Sequence, residues 1–415
     1  MNNKFLLTTA LIASSLLGTA QNNKSTFAIT GDGNNDFIWM NIRQLDLSKG
    51  QVTKTLFDRN ATKYTVTDVN TKLSTVKNSV TDFNMFNRNS VHPTGSFVAA
   101  AAYDKRSNKL FYTPMRTGEL RWLDMSSSES NPQFFTMQIP NYKITEMNDD
   151  ATDITRMVIG ADGNGYAISN DGNHFFSFTT GKKPVMTDLG NIIDAEANGG
   201  NSIHNKCSSW GGDMIADAFG KLYVISANHN VYVIDVNTRI ATYKGMIQGL
   251  PAGYTTNAAA VNDDGEVVLG SANLFSGYYK MSIADLKATK IEGSDEKYNA
   301  SDFANANLLL QKEANSLSSG SVVPFAATPV DAKIFPNPVT NSSFNVLLES
   351  ANDGKYTIQV SDLSGRVVSV KYINVVKGNQ KARVDLNSRL TKGIYVVKVT
   401  DANKAVIINE KIVLQ

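Results

Sequence analysis

The sequence predicts an all-β chain, a five- or six-bladed β-propeller followed by a small Ig-like β-sandwich, and three observations carry that expectation. First, the middle of the chain repeats a unit of four short apolar stretches parted by turn residues, clearest in DMIADAFG, KLYVISAN, HNVYVIDV and NTRIATYKG at 213–245. Four strands in a row with tight turns make one propeller blade. Second, Phe111, Tyr166, Tyr223 and Val267 hold the same place in successive repeats, at steps of 55, 57 and 44 residues, a blade-length period with variable loops. Third, Tyr356, Ile358 and Val360 alternate with polar residues near the C-terminal end, as in a strand with one buried face.

Taken in order, residues 1–20 read as a cleaved secretory signal: Lys4, the apolar stretch Phe5 to Leu17, and the small residues Gly18, Thr19 and Ala20. That stretch is too short to span a bilayer, and no later apolar run approaches spanning length, so no transmembrane segment is expected in the mature chain. Residues 21–310 are the expected propeller domain. The segment from Ser25 to Phe57 supplies only three strands, and 300–310, which resembles 213–220, is expected to supply the missing inner strand and close the ring, removing two open edges. Strands of their own within Thr62 to Val80 would raise the count from five blades to six. Each repeat carries a polar turn between its first two strands, at Asp104, Asp162, Asp217 and Asp264, where a side-chain oxygen can bond its own backbone. Residues 311–330, rich in Ser, Ala and Pro, read as a linker, and 331–415 as a second domain.

Composition excludes a nucleic-acid binder: 40 basic and 38 acidic residues are interspersed, with net charge +2 and no basic cluster. The lone Cys207 allows no internal disulfide and reads as a buried, inert thiol. There is no nucleophile elbow, zinc-helix motif, phosphate loop or dinucleotide fingerprint, so no catalytic residues are assigned and the balance leans away from an enzyme. His204 stands three residues before Cys207, but neither a metal nor a base-assisted thiol has its third partner. Asp32, Asn34 and Asp36 place oxygen donors at alternate positions, as a calcium loop begins, yet Arg43 stands where the closing Glu belongs. Calcium is therefore the one candidate ion, with an ordinary turn as its alternative, and no other cofactor is expected.

In a propeller the inner strands begin around one mouth of the central channel, where ligands commonly bind. That position in each repeat is held by Ser96, Arg156, Asp213, Asn257 and Asp302, with Asn201, His204 and Trp210 on the preceding loop. Polar groups beside an indole suit a sugar or another polar ligand. The structural alternative is that they bond one another, with Arg156 and Asp213 as a buried ion pair.

The C-terminal residues give KIFPNPV, with Pro336, Asn337 and Pro338, whose two prolines should hold the chain extended. They continue with YTIQVSDLSGRVV, with a hairpin at Gly365 and Arg366, then LTKGIYVVKVTD, with Gly393 and Tyr395, and finally KIVLQ, with Lys411. This set in this order resembles the type A (Por) sorting domain of the type IX secretion system, a small β-sandwich carried by exported proteins of one Gram-negative phylum. The resemblance implies a translocon and a sortase-like peptidase as partners of 331–415. It also implies passage through the periplasm to a secreted or surface-attached location. More softly, SNDGNHFFSFTTGKKP and SIHNKCSSWGGDMIADAFGKLYVISA resemble propeller domains of type IX cargo of no established activity. The function expected is a secreted or cell-surface binding or adhesion protein for a polar molecule, glycan or protein. The alternatives are a polysaccharide lyase or hydrolase, or a surface-layer component, and fold alone cannot decide among them.

Overall fold

The computed structural model describes residues 25–415 apart from 34, 61–62, 78–91, 143, 145–148, 319–330, 352, 363–366, 377, 388–389 and 402–405. The chain divides into two compact units, Met1–Gly320 and Ser321–Gln415.

The first unit is a five-bladed propeller. Blade I is Ala300–Ala304, Thr26–Thr30, Asn41–Asp46 and Gln51–Phe57 in spatial order, so the last strand of the unit pairs antiparallel with its first, with Phe27 opposite Ala304. Blade III runs Ile154–Ile159, Gly165–Ser169, Phe175–Phe178 and Met186–Asp188, and blade V runs Ala258–Val261, Val267–Gly270, Tyr279–Met281 and Ala288–Lys290. Blades II and IV start from Val98–Asp104 and Asp213–Ala216, and each gains parallel material at its outer edge. Tyr64–Asp68 pairs parallel with Gln133–Gln138, and Ile193–Asp194 with Ile240–Met246. The strands expected to raise a sixth blade therefore cover the edge of blade II, and the count is five.

The inner strands are buried on both faces, which is why strands such as VAAAAYD and DMIA read as near-continuous apolar runs. Five apolar cores lie between neighbouring blades: Phe57 with Tyr112 and Phe134 between I and II, Trp122 with Phe176 and Phe178 between II and III, and Ile168 with Met214 and Tyr232 between III and IV. Tyr223 with Tyr254 and Leu269 joins IV to V, and Ala28 with Val268 and Phe303 joins V to I. The turn oxygens behave as expected at Asp104, Asp162 and Asp217, which accept the amides of Arg106, Asn164 and Phe219. In blade V the turn is made by Asn262, which accepts from Asp264 and Glu266. The first part of the expected linker is the helix Gln311–Ser318.

The second unit is a sandwich of a three-stranded sheet (Asp331–Phe335, Ser343–Ala351, Gly378–Asp385) and a four-stranded one (Val367–Val375, Gly354–Asp362, Gly393–Thr400, Val406–Leu414). Phe344, Val346, Tyr356, Ile358, Val360, Val397, Val399 and Ile412 fill its core, the alternation read from the sequence. The segment from Pro336 to Pro338 bends where the sequence predicted extended chain. Asn337 ties this bend to the last strand, donating to the Lys411 carbonyl at 2.8 Å and accepting from the Val413 amide at 3.0 Å. Tyr395 donates to the Thr391 carbonyl at 2.7 Å, and the turn residues Gly365 and Arg366 lie outside the described residues.

Candidate functional site at the propeller mouth

The five inner strands pack side by side around the axis and carry Ala100, Arg156, Asp213, Ala259 and Asp302 within their first three residues. The sequence-predicted set does not form one ring. Ser96 lies above this level, buried, with its hydroxyl donating to the Met115 carbonyl at 3.0 Å. Asn257 also precedes its strand and accepts from the Ala272 amide at 3.4 Å. Asn201 is exposed and bonded to the Asn198 carbonyl, and Asn198 in turn holds Ala241 of an outer strand, so Asn201 sits at the rim of blade IV.

Arg156 is fully buried, and its guanidinium donates to four backbone carbonyls: Ser169, Asn170 and Gly211 at 3.3, 3.4 and 3.0 Å, and Ser209. Burial pulls it down to about 10, so it remains a cation at neutral pH. The alternative reading of an ion pair with Asp213 is not met: four of the five guanidinium N–H donors go to carbonyls of blade III and of the loop before blade IV. Its role is to fasten the loop 201–212 onto blade III. In that loop Asn205 caps the short helix Lys206–Ser209, and the His204 ring lies between the carbonyls of Asp171 at 2.7 Å and Ile192 at 3.1 Å. Cys207 is exposed, not buried as expected, because the helix turns it outward, away from the carbonyls that hold His204. Trp210 is half-buried beneath Lys206, 4.8 Å from its ring centroid, and donates to the His204 carbonyl at 3.3 Å. Gly212 has φ of +95°, and a Cβ there would fall 1.9 Å from the Ile225 oxygen; only glycine lets the loop enter the channel at Asp213.

Asp213 and Asp302 are both completely buried and lie together. Asp213 accepts the amides of Met214 and Ala259 at 2.6 Å each and of Phe303 at 3.2 Å, so it reaches from blade IV past blade V to blade I. The Asp302 carboxyl faces Asp213 and the Ala101 amide, yet neither of its oxygens has a complete hydrogen bond. Burial pushes Asp213 up to about 8, and burial together with the Asp213 charge raises Asp302 as well. Below them the channel narrows to a cavity of about 10 Å³ lined by Ala101, Met157, Met214, Ala259 and Phe303, about the space of one water.

The calcium candidate closes differently. Arg59 pairs with Asp32 at 2.7 Å and Asp36 at 3.1 Å, and Asp36 also accepts the Asp32 amide at 2.6 Å. An arginine occupies the place between the two carboxylates, and Asn34 lies outside the described residues. Among the described residues no group of three acidic, His or Cys side chains could hold a metal ion.

The same face carries a feature the repeat reading passed over. The loop 31–40 leaves Thr30, which pairs with Ala300 at the start of an inner strand, so it opens on the mouth side. Its Phe37 is 47% exposed and meets Phe275 of blade V edge-to-face at 5.7 Å. Two residues on, Trp39 meets Phe97 of blade II at 6.0 Å. The Trp39 indole N–H and the Ser276 hydroxyl have no hydrogen-bond partner among the described residues. The signal was legible as apolar residues in turn segments, FIW at 37–39 and LF at 274–275.

Residues 333–415 match the family described as Secretion system C-terminal sorting domain. The chain is type IX secretion cargo, exported to the cell surface or extracellular space. No helix among the described residues is long and apolar enough to cross a membrane. No curated protein matches the chain. Solved structures similar to this chain include PorZ, a bacterial surface component of the type IX secretion system of Porphyromonas gingivalis, at 11% identity and TM-score 0.27, covering 94% of this chain and 51% of that one. The chain thus spans about half the length of PorZ. The periplasmic gluconolactonase PpgL of Pseudomonas aeruginosa is 10% identical with TM-score 0.33, covering 94% and 96%. Myxococcus xanthus glutaminyl cyclase is 13% identical with TM-score 0.31, covering 68% and 94%.

Proposed function

We propose that the exported propeller is an extracellular binding module for carbohydrate, and that its ligand lies on the loop face of blades V, I and II. The exposed Phe37, packed edge-to-face on the partly buried Phe275, carries this reading. An aromatic pair held open to water by two different blades costs solvation that a stacked sugar ring would recover. Trp39 with Phe97 extends the row. Trp210 and Asn257 stand on the same face, whereas Arg156, Asp213, Asp302 and Ser96 are spent within the protein. An enzyme, as the gluconolactonase and cyclase relatives are named, would need carboxylates that reach a substrate. The converging pair Asp213 and Asp302 is completely buried.

The test is a glycan array probed with the propeller, followed by titration of the best-bound glycan. Phe37→Ala and Phe275→Ala should each weaken binding about five- to tenfold, as loss of one stacking contact does, with melting temperature unchanged. Phe219→Ala, on the turn at the opposite face, should bind as wild type. Unchanged binding in both loop-face variants, or no glycan retained, defeats the reading.

A further inference from the structure

We propose that Asp213 and Asp302 share a proton that latches the propeller ring shut, making closure of the ring sensitive to pH. Asp302 belongs to Ala300–Ala304, the strand that completes blade I, and Asp213 to the inner strand of blade IV. The two carboxyls therefore join the last strand of the ring to a blade that is not its neighbour.

The lone pairs decide what lies between them. An ionised carboxylate has about four acceptor sites. Asp213 spends three on the amides of Met214, Ala259 and Phe303, and one remains, facing Asp302. Asp302 accepts nothing in complete geometry, so a proton on it, donated to that last site, completes both groups. A cation would instead sit among three N–H groups already aimed at Asp213. No other charge offsets the pair. The inner strands facing it contribute Ala100 and Ala101 from blade II and Ala259 from blade V, and the paired second strands contribute Ile29 and Ile225. Arg156 of blade III is the one ionisable side chain at that level among the described residues, and its guanidinium is committed to four carbonyls. The upward displacement of both carboxyls fits this arrangement.

The sign follows from linkage. The folded pair keeps a proton that unfolded aspartates release near pH 4, and Asp302, which holds it, is raised well above the ordinary aspartate range, so from about pH 4 upward through neutrality the folded state binds one proton more. Each pH unit upward in that window then lowers the folding constant about tenfold through this pair. Asp153, raised to about 6 by burial, acts in the same direction at the acid end, so the measurement is a comparison with a variant. Thermal melts of the propeller transition in the full chain, from pH 5 to 9, are compared for wild type and Asp302→Asn, whose amide donates to Asp213 without a titrating proton. The variant should lose about one proton's worth of slope and melt above wild type at pH 8. Parallel curves overturn the proposal, as does a wild-type melt raised by calcium and lowered by chelator with the effect gone in Asp302→Asn. If that variant does not fold, Asp213→Asn serves the same comparison. If neither folds, infrared spectra of the wild-type chain should show a protonated carboxylic acid at pH 7, and its absence there overturns the latch.

Discussion

Arg156 illustrates how one side chain can be read correctly as special and wrongly as to why. Charge at an inner-strand position between Ile154 and Val158 of its own strand marks a non-packing role, but only the fold shows that its partners are carbonyls of Ser169, Asn170, Ser209 and Gly211. Arg156→Ala removes all four bonds and leaves buried acceptors unpaired, at about 1–3 kcal/mol for each that water cannot reach. A loss of about 3 kcal/mol or more in urea unfolding is expected, with glycan binding kept in the fraction that stays folded. His92 offers a second test. It is buried against Phe57 and Tyr64, its Nε2 lies 3.0 Å from the Arg59 carbonyl, and burial pulls its imidazole down to about 4. An unfolded histidine takes up its proton near pH 6.5 and the folded one does not, so stability is present above about 6.5 and drains away toward pH 4. The full displacement corresponds to about 3 kcal/mol. Urea melts of wild type and His92→Phe at pH 7 and pH 4.5 should show a smaller acid loss in the variant, and equal losses would remove His92 from the account.

At the level of elements, the decisive piece is Ala300–Ala304. It is the inner strand of blade I, pairs with Thr26–Thr30, and supplies Phe303 to the core between blades V and I. A propeller ending at residue 298 loses this ladder, exposes the edges beside it and strands Asp213 without its Phe303 donor. It should melt well below one ending at 318, by several kcal/mol of stability, a large share of what a domain possesses. Equal midpoints would mean that the strand is only a tail.

For the whole molecule, the two units divide the work: 333–415 directs export and the propeller arrives with whatever it binds. A chain ending near Val330 should fold, since the five inter-blade cores lie wholly within Met1–Gly320, and yet remain in the periplasm. Immunoblots of culture medium and cell fractions check this, and truncated protein in the medium at the full-length level would contradict it.

Repeats of four strands, the borrowed closing strand and the sorting tail were all legible in the residues, because apolar periodicity and turn chemistry are local properties that a propeller repeats blade by blade. The turn oxygens at Asp104, Asp162 and Asp217 were legible for the same reason. What only the tertiary structure decided is direction and company. Sequence places Arg156, Asp213 and Asp302 at similar depths, but which carbonyls, amides or carboxyls each one meets depends on how neighbouring blades are rotated about the axis. Whether Tyr64–Asp68 starts a blade or covers an edge depends on the strand beside it, Gln133–Gln138, nearly seventy residues away. The aromatic row at Phe37, Trp39, Phe97 and Phe275 exists only because three blades bring their loops to one face, a contact between distant residues that no local pattern encodes.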